Sequence, residues 1–117
     1  MDPSVLIVDD DPGFRSLAAR MVTACGLTVA GEAADVEAAI EAAQRLKPAA
    51  MLVDIGLPDG SGIELAQALE ALPWRPRVLL TSSDYSTAAA DDGAARFQFV
   101  PKEELPNAPL RWLLTQH

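Results

Sequence analysis

Val5-Leu6-Ile7-Val8-Asp9-Asp10-Asp11-Pro12-Gly13-Phe14 decides the reading of this chain. An unbroken, mostly β-branched apolar run matches a strand buried on both faces, and the carboxylates that follow mark its carboxyl end. A helix begins at once. Asp11 can cap it, Pro12 suits the first helical position because its missing N–H costs nothing there, and the apolar series Phe14, Leu17, Ala18, Met21, Cys25 runs on to Gly26.

The rhythm of strand then helix recurs along the chain. Thr28 to Ala33 reads as a second strand, weakened by Gly31, and Val36, Ala39, Ile40 and Ala43 share one helical face until Lys47-Pro48 stops them. Ala50 to Val53 is a third strand. Leu57 to Gly62 makes a tight loop, and Leu65, Ala66, Leu69 and Leu72 form the inner face of a third helix, with Pro73 and Pro76 bracketing a break. Val78 to Leu80 is a fourth strand, followed over 84–93 by a short, marginal helix whose apolar content is almost all alanine. Phe97 to Val100 supplies a fifth, and Asn107 is placed to cap a last helix with Pro109 in its first turn and Leu110, Leu113 and Leu114 inward. Five βα units with short connections predict a doubly wound α/β sandwich: a five-stranded parallel sheet, right-handed crossovers, helices on both faces.

A chain of 117 residues fits a single domain spanning 1–117, with no separate output domain expected. Its ending at Gln116-His117 without a basic linker leans slightly toward a stand-alone protein over a fragment of a longer one. With 17 acidic against 9 basic residues and a pI near 4.4, it offers no surface for direct nucleic-acid or anionic-membrane binding. No signal peptide or apolar run long enough to span a bilayer is present, so a cytoplasmic location is expected. The single Cys25 cannot form an internal disulfide and reads as a core residue.

In an open parallel sheet the carboxyl ends of the strands converge on one crevice. Asp9 and Asp10, Asp54, Thr81 and Lys102 each follow an apolar run, so residues remote in sequence should meet there. Like charges about 4 Å apart at an effective dielectric near 20 repel by roughly 4 kcal/mol, which a hard divalent cation such as Mg²⁺ would offset. The competing reading of acidic residues at strand ends is capping of helices and turns, and it suits Asp11 and Asp59. Lys102 alone would be a charge balancer, and Thr81 alone a β-branched strand terminus. Together with a cation they would form an electrophilic cradle for a phosphoryl group, with Asp54 as the nucleophile.

Leu6-Ile7-Val8-Asp9-Asp10-Asp11, Val53-Asp54-Ile55-Gly56-Leu57-Pro58-Asp59-Gly60-Ser61-Gly62, Leu80-Thr81-Ser82 and Phe99-Val100-Pro101-Lys102 occur in an order and spacing that resembles the receiver domains of bacterial two-component response regulators. The resemblance implies a flavodoxin-like fold in which Asp54 accepts a phosphoryl group from a sensor histidine kinase or phosphotransfer protein. It implies Mg²⁺ (or Mn²⁺) held by Asp10, Asp54 and the backbone carbonyl of Gly56, with Asp9 acting largely through water. It further implies that Thr81 and Lys102 contact the phosphoryl group, that Thr81 and Phe99 form a switch, and that the fourth and fifth βα segments form the signalling surface, through which a homodimer could assemble. Such a domain catalyses only its own phosphorylation and dephosphorylation. The sequence departs from the family pattern in carrying Phe99 where tyrosine is commoner, Glu103 after the lysine, and the sparse Ala88-Ala89-Ala90-Asp91-Asp92-Gly93 in the fourth helix. Trp112, at 100° per residue, points away from the inner face of the last helix and is either a candidate partner contact or a ring lying flat on neighbouring side chains.

Two other classes compete. A haloacid-dehalogenase-type phosphohydrolase would use Asp9 and Asp11 as a D-x-D pair, but the chain is short for it and has only Glu103 and Glu104 as a later acidic pair. A flavodoxin-like FMN carrier would need a hydroxyl- and glycine-rich loop after the first strand, where three aspartates would repel phosphate.

Overall fold

The computed structural model describes residues 3–83 and 97–115. Strands β1 (Ser4–Val8), β2 (Thr28–Ala33), β3 (Ala50–Asp54), β4 (Arg77–Ser82) and β5 (Gln98–Pro101) form one parallel sheet in the order β2-β1-β3-β4-β5. The chain steps outward from β1 to β2, then returns to the other side of β1 with β3. That reversal is the switch point at which a doubly wound sheet opens a crevice. It falls between the strand ends that carry Asp9 and Asp54.

The pleat sorts the apolar residues into two cores. Leu6, Val8, Met51, Val53 and Leu80 pack against α2 (Val36–Leu46) and α3 (Gly62–Leu69), whereas Val5, Ile7, Leu52 and Leu79 pack against α1 (Pro12–Ala24) and the C-terminal helix Leu110–Thr115. Both faces of the central strands are thus covered, which is why their sequences are continuously apolar and do not alternate. The local signals act as expected. Asp11 accepts a hydrogen bond from the Gly13 N–H at 2.9 Å with Pro12 opening α1, and Gly26 follows the helix with φ of +87°. Helix α2 is capped by Asp35, which accepts from Ala38 N–H at 2.7 Å, and ends at left-handed Lys47 ahead of Pro48. Cys25 is partly buried against the α1 core.

Four details differ from the sequence reading. Leu17 and Ile40, counted in the apolar faces, are 40% and 36% exposed; Ala18 and Val22 of α1 and Ala39, Ala42 and Ala43 of α2 carry the contact instead. Small side chains let these helices approach the sheet closely, and the bulkier neighbours are left at the rim. Helix α3 ends at Leu69, so Leu72 packs from the following turn. At the other end, Lys102–Asn107 forms a 3₁₀ helix containing Pro106, and the last helix starts only at Leu110. Asn107 therefore closes the 3₁₀ segment and does not cap the helix, because Pro109 disfavours a helical Ala108, which is extended at φ −82° and ψ 151°. Leu113 is half-buried, while Leu110 and Leu114 are buried. The helix expected over 84–93 lies outside the described residues. Among those residues, no helix is long and apolar enough to cross a membrane.

Candidate functional site

Asp9, one residue beyond β1, is fully buried and held from three directions. Its main-chain N–H donates to the Ala33 carbonyl at 3.0 Å, its carbonyl accepts from Arg15 Nη1 at 2.7 Å, and its Oδ1 accepts from the Asp11 N–H at 2.9 Å. Arg15 also pairs with Glu32 of β2 at 3.0 Å, so the loop after β1 is tied to both α1 and the neighbouring strand.

Asp54 closes β3. Its Oδ1 accepts from the Gly56 N–H at 3.2 Å, and the following Ile55 N–H bonds to the Thr81 carbonyl at 2.9 Å. The loop beyond is a small hairpin in which Gly56–Leu57 pairs with Gly60–Ser61 across Pro58-Asp59. From its tip, Asp59 accepts from the N–H groups of Val36 and Glu37 at 2.8 and 3.1 Å, and these bonds hold its carboxyl below the usual carboxylate range. Asp59 thereby caps α2 and links it to the Asp54 loop. Gly62 returns the chain against β3 so closely that a Cβ there would collide with the Asp54 carbonyl.

Asp9, Asp10 and Asp54 each bring one carboxylate oxygen within 4.8 Å of the others; Asp10 is exposed. Lys102 Nζ lies 2.7 Å from Asp9 Oδ2 and 3.4 Å from Asp54 Oδ2, and its other flank rests on the Phe14 ring, 4.3 Å from the centroid. Burial, then the negative charge of Asp9, raise the Asp54 pKa to about 6 against the opposing pull of Lys102 and the Gly56 N–H. Burial by itself would lower the Lys102 pKa, but hydrogen bonding and attraction from Asp9 and Asp54 outweigh it and raise the value above that of a free lysine. Thr81 stands opposite Asp54 in the β3–β4 register, its Oγ1 buried without a hydrogen-bond partner among the described residues.

The structure thus joins Asp9, Asp10, Asp54 and Lys102 in one crevice with Thr81 beside them. Gly56 is exposed at the start of the hairpin, and Phe99 is half-buried against the α2–α3 core. Trp112 is 53% exposed on the C-terminal helix. Clustered hard oxygen donors are competent to chelate a divalent cation. A buried hydroxyl without a partner and an ammonium at the same end of the sheet suit an oxyanion. Asp11 has no place in that chemistry: it is exposed, and its carboxylate caps α1. The D-x-D hydrolase reading loses its acid.

A family model for the response regulator receiver domain matches residues 5–108. This chain belongs to that family. The receiver domain is 31% identical over 83 residues to the chemotaxis protein CheY of Thermotoga maritima, covering 71% of this chain and 69% of that one. It is 33% identical over 109 residues to a protein-glutamate methylesterase/protein-glutamine glutaminase of Myxococcus xanthus, covering 90% of this chain but only 31% of the relative. Among solved structures, the signal receiver domain of the response regulator NarL from Mycobacterium tuberculosis superposes with a TM-score of 0.81 at 28% identity, covering 98% of each chain. The domain spans about a third or less of the methylesterases it matches.

Receiver domains are signalling modules whose chemistry is their own phosphorylation and dephosphorylation, and their partners as a class are histidine kinases and phosphotransfer proteins. Two contributors to this site escape a sequence reading and a third is read only in part. Phe14 looks like one more apolar helix position and Arg15 like a solvated charge, while capping is expected of Asp59 but not its target, the start of α2, 23 residues away. Only the proximity of Phe14 and Arg15 to the carboxylates in the first turn of α1 hints at a part in the crevice.

Proposed function

We propose that Asp54 is the phosphoacceptor and that the crevice carries out Mg²⁺-dependent transfer of a phosphoryl group from a histidine kinase or phosphotransfer protein. The observation that carries this reading is the single ammonium of Lys102 bridging Asp9 and Asp54. With a pKa of about 6, Asp54 is mostly ionised at neutral pH and available as a nucleophile. Its oxygen forms the new O–P bond as the P–N bond to the donor histidine breaks. Asp9, Asp10, Asp54 and the Gly56 carbonyl would hold Mg²⁺ or Mn²⁺, which supplies a hard Lewis acid for the phosphoryl oxygens. The Lys102 ammonium and the Thr81 hydroxyl meet the remaining negative charge, so the unpartnered Oγ1 gains its hydrogen bond in the phosphorylated state.

Drawing Thr81 inward alters the packing around Phe99, which makes these two the switch between inactive and active packings of the fourth and fifth βα segments. In this reading 1–117 is one receiver unit in the cytoplasm that acts by protein contact. Homodimerisation through the fourth and fifth βα segments and a partner contact at Trp112 belong to the same proposal. The test is intact mass after incubation with Mg²⁺ and a small acyl-phosphate donor. Wild type should gain one phosphoryl group and Asp54→Ala none; equal gain by both, or none by wild type, refutes the assignment.

A further inference from the structure

We propose that Phe14 is a positioning residue for phosphoryl transfer, its ring serving as the seat that keeps the Lys102 ammonium over the crevice. The inference rests on the reading of Asp54 as phosphoacceptor. It begins with local geometry. The Asp11 cap and Pro12 start α1 so that Phe14 falls in its first turn, and helical side chains lean toward the helix N-terminus. Here the N-terminus abuts the carboxylate loop, so the ring is aimed at the crevice while still resting on the α1 core. Lysine is a flexible four-carbon stem ending in a compact charge, and Lys102 enters from the far side of the sheet, at the start of the 3₁₀ helix after β5. Nothing in its own backbone segment determines where the ammonium stops.

The ring supplies that limit. Its negative face lies 4.3 Å from Nζ, and the side chain is only 18% exposed, so the attraction acts in a partly desolvated setting where cation–π contacts are strongest. One flank of the ammonium is thereby turned away from water, and its N–H donors are left for Asp9 and Asp54 on the other. An aromatic face cannot accept the ammonium as a carboxylate does, so it restrains Lys102 without competing for the hydrogen bonds that a phosphoryl oxygen will need. Leucine at this position would fill similar space and bury similar area but offer no such face.

Two measurements test this, one of them independent of phosphorylation. In metal-free protein, urea midpoints of wild type, Phe14→Leu, Lys102→Met and the double variant form a cycle. The two substitutions should be non-additive, the Phe14→Leu effect largely vanishing once Lys102 is gone. With Mg²⁺ and an acyl-phosphate donor, Phe14→Leu should slow phosphorylation roughly threefold to tenfold and Phe14→Tyr should stay within about twofold of wild type. If Phe14→Leu fails to fold, 3,4,5-trifluorophenylalanine at position 14 replaces it, keeping the shape while weakening the ring's negative face; the same slowing is expected. Additive midpoints, or phosphorylation by Phe14→Leu as fast as wild type, would overturn the proposal while leaving Asp54 as acceptor. A wild type that takes up no phosphoryl group would instead remove the reading on which it rests, even if the midpoints couple.

Discussion

The two halves of the crevice are built to different standards of completion. On the β1–β3 side the backbone is tied down: Asp9 is held by the Asp11 N–H and by Arg15, Asp54 by the Gly56 N–H, and the hairpin beyond it by Asp59 on α2 and by Gly62 against the strand, and only Asp9 Oδ2 depends on the Lys102 ammonium. On the β4–β5 side, Thr81 Oγ1 is buried with no partner among the described residues, and Lys102 reaches across the sheet for its partners. Under the proposed role of Asp54 as phosphoacceptor, this division fits a site whose nucleophile is fixed before the donor arrives and whose Thr81 hydroxyl is satisfied only afterwards.

Breaking the closed half should have the largest effect. Gly62→Ala drives a methyl into the Asp54 carbonyl, and a loss of about 3 kcal/mol, at the upper end for overpacking, is expected in urea unfolding. Little change would mean that the hairpin yields and that the half is not rigid. Asp54→Asn tests the electrostatic tension within it. The folded pKa of about 6 lies above the unfolded value of 3.8, so the folded state binds the proton more tightly. The resulting penalty is absent below the unfolded value, grows as pH rises between the two, and is complete above pH 6. Metal-free Asp54→Asn should therefore be more stable than wild type by about 1–2 kcal/mol at pH 7.5, a gain that disappears near pH 4. The opposite trend would place the acidic crowding elsewhere.

Smaller changes sharpen the contrast. Asp59→Ala removes two hydrogen bonds from the start of α2 while Asp35 remains, so a small loss of stability is expected, with faster amide exchange at Val36 and Glu37. Thr81→Val deletes a hydroxyl that no group satisfies at nearly constant shape. Metal-free stability should hold or rise by up to about 1 kcal/mol, while the phosphorylation-dependent chemical shifts around Phe99 are lost. A clear destabilisation by Thr81→Val would show that the open half is closed after all.

The same division explains what could be read from the sequence. The strands were legible because double-sided burial leaves runs such as Met51-Leu52-Val53 without polar interruption, and their ends announced Asp9, Asp54, Thr81 and Lys102. Caps encoded within a few residues, as at Asp11 and Gly26, were legible too. The width of the helical faces was not, since periodicity assigns a direction but cannot tell that alanines would carry the contact and leave Leu17 and Ile40 at the rim. Nor were Phe14 on Lys102, Arg15 on Glu32, or the choice of α2 as the helix that Asp59 caps, which depend on how segments 17 to 88 residues apart come together. The delayed last helix follows from Pro109, which keeps Ala108 extended, whereas Asn107 taken alone resembles a cap.

The irregular pairing of β2 carries a consequence for assembly. Val5 pairs with Val29 but Leu6 with Gly31, so Ala30 is skipped and the outer strand is distorted in mid-length. At the opposite border, β5 is four residues long and ends in Pro101, which has no N–H to offer. Both margins of the sheet are therefore poor templates for an added strand, and growth into edge-to-edge polymers is obstructed from either side. Copies of this domain that meet must do so through their helices and loops, so that association stays reversible enough to follow a phosphoryl group on and off.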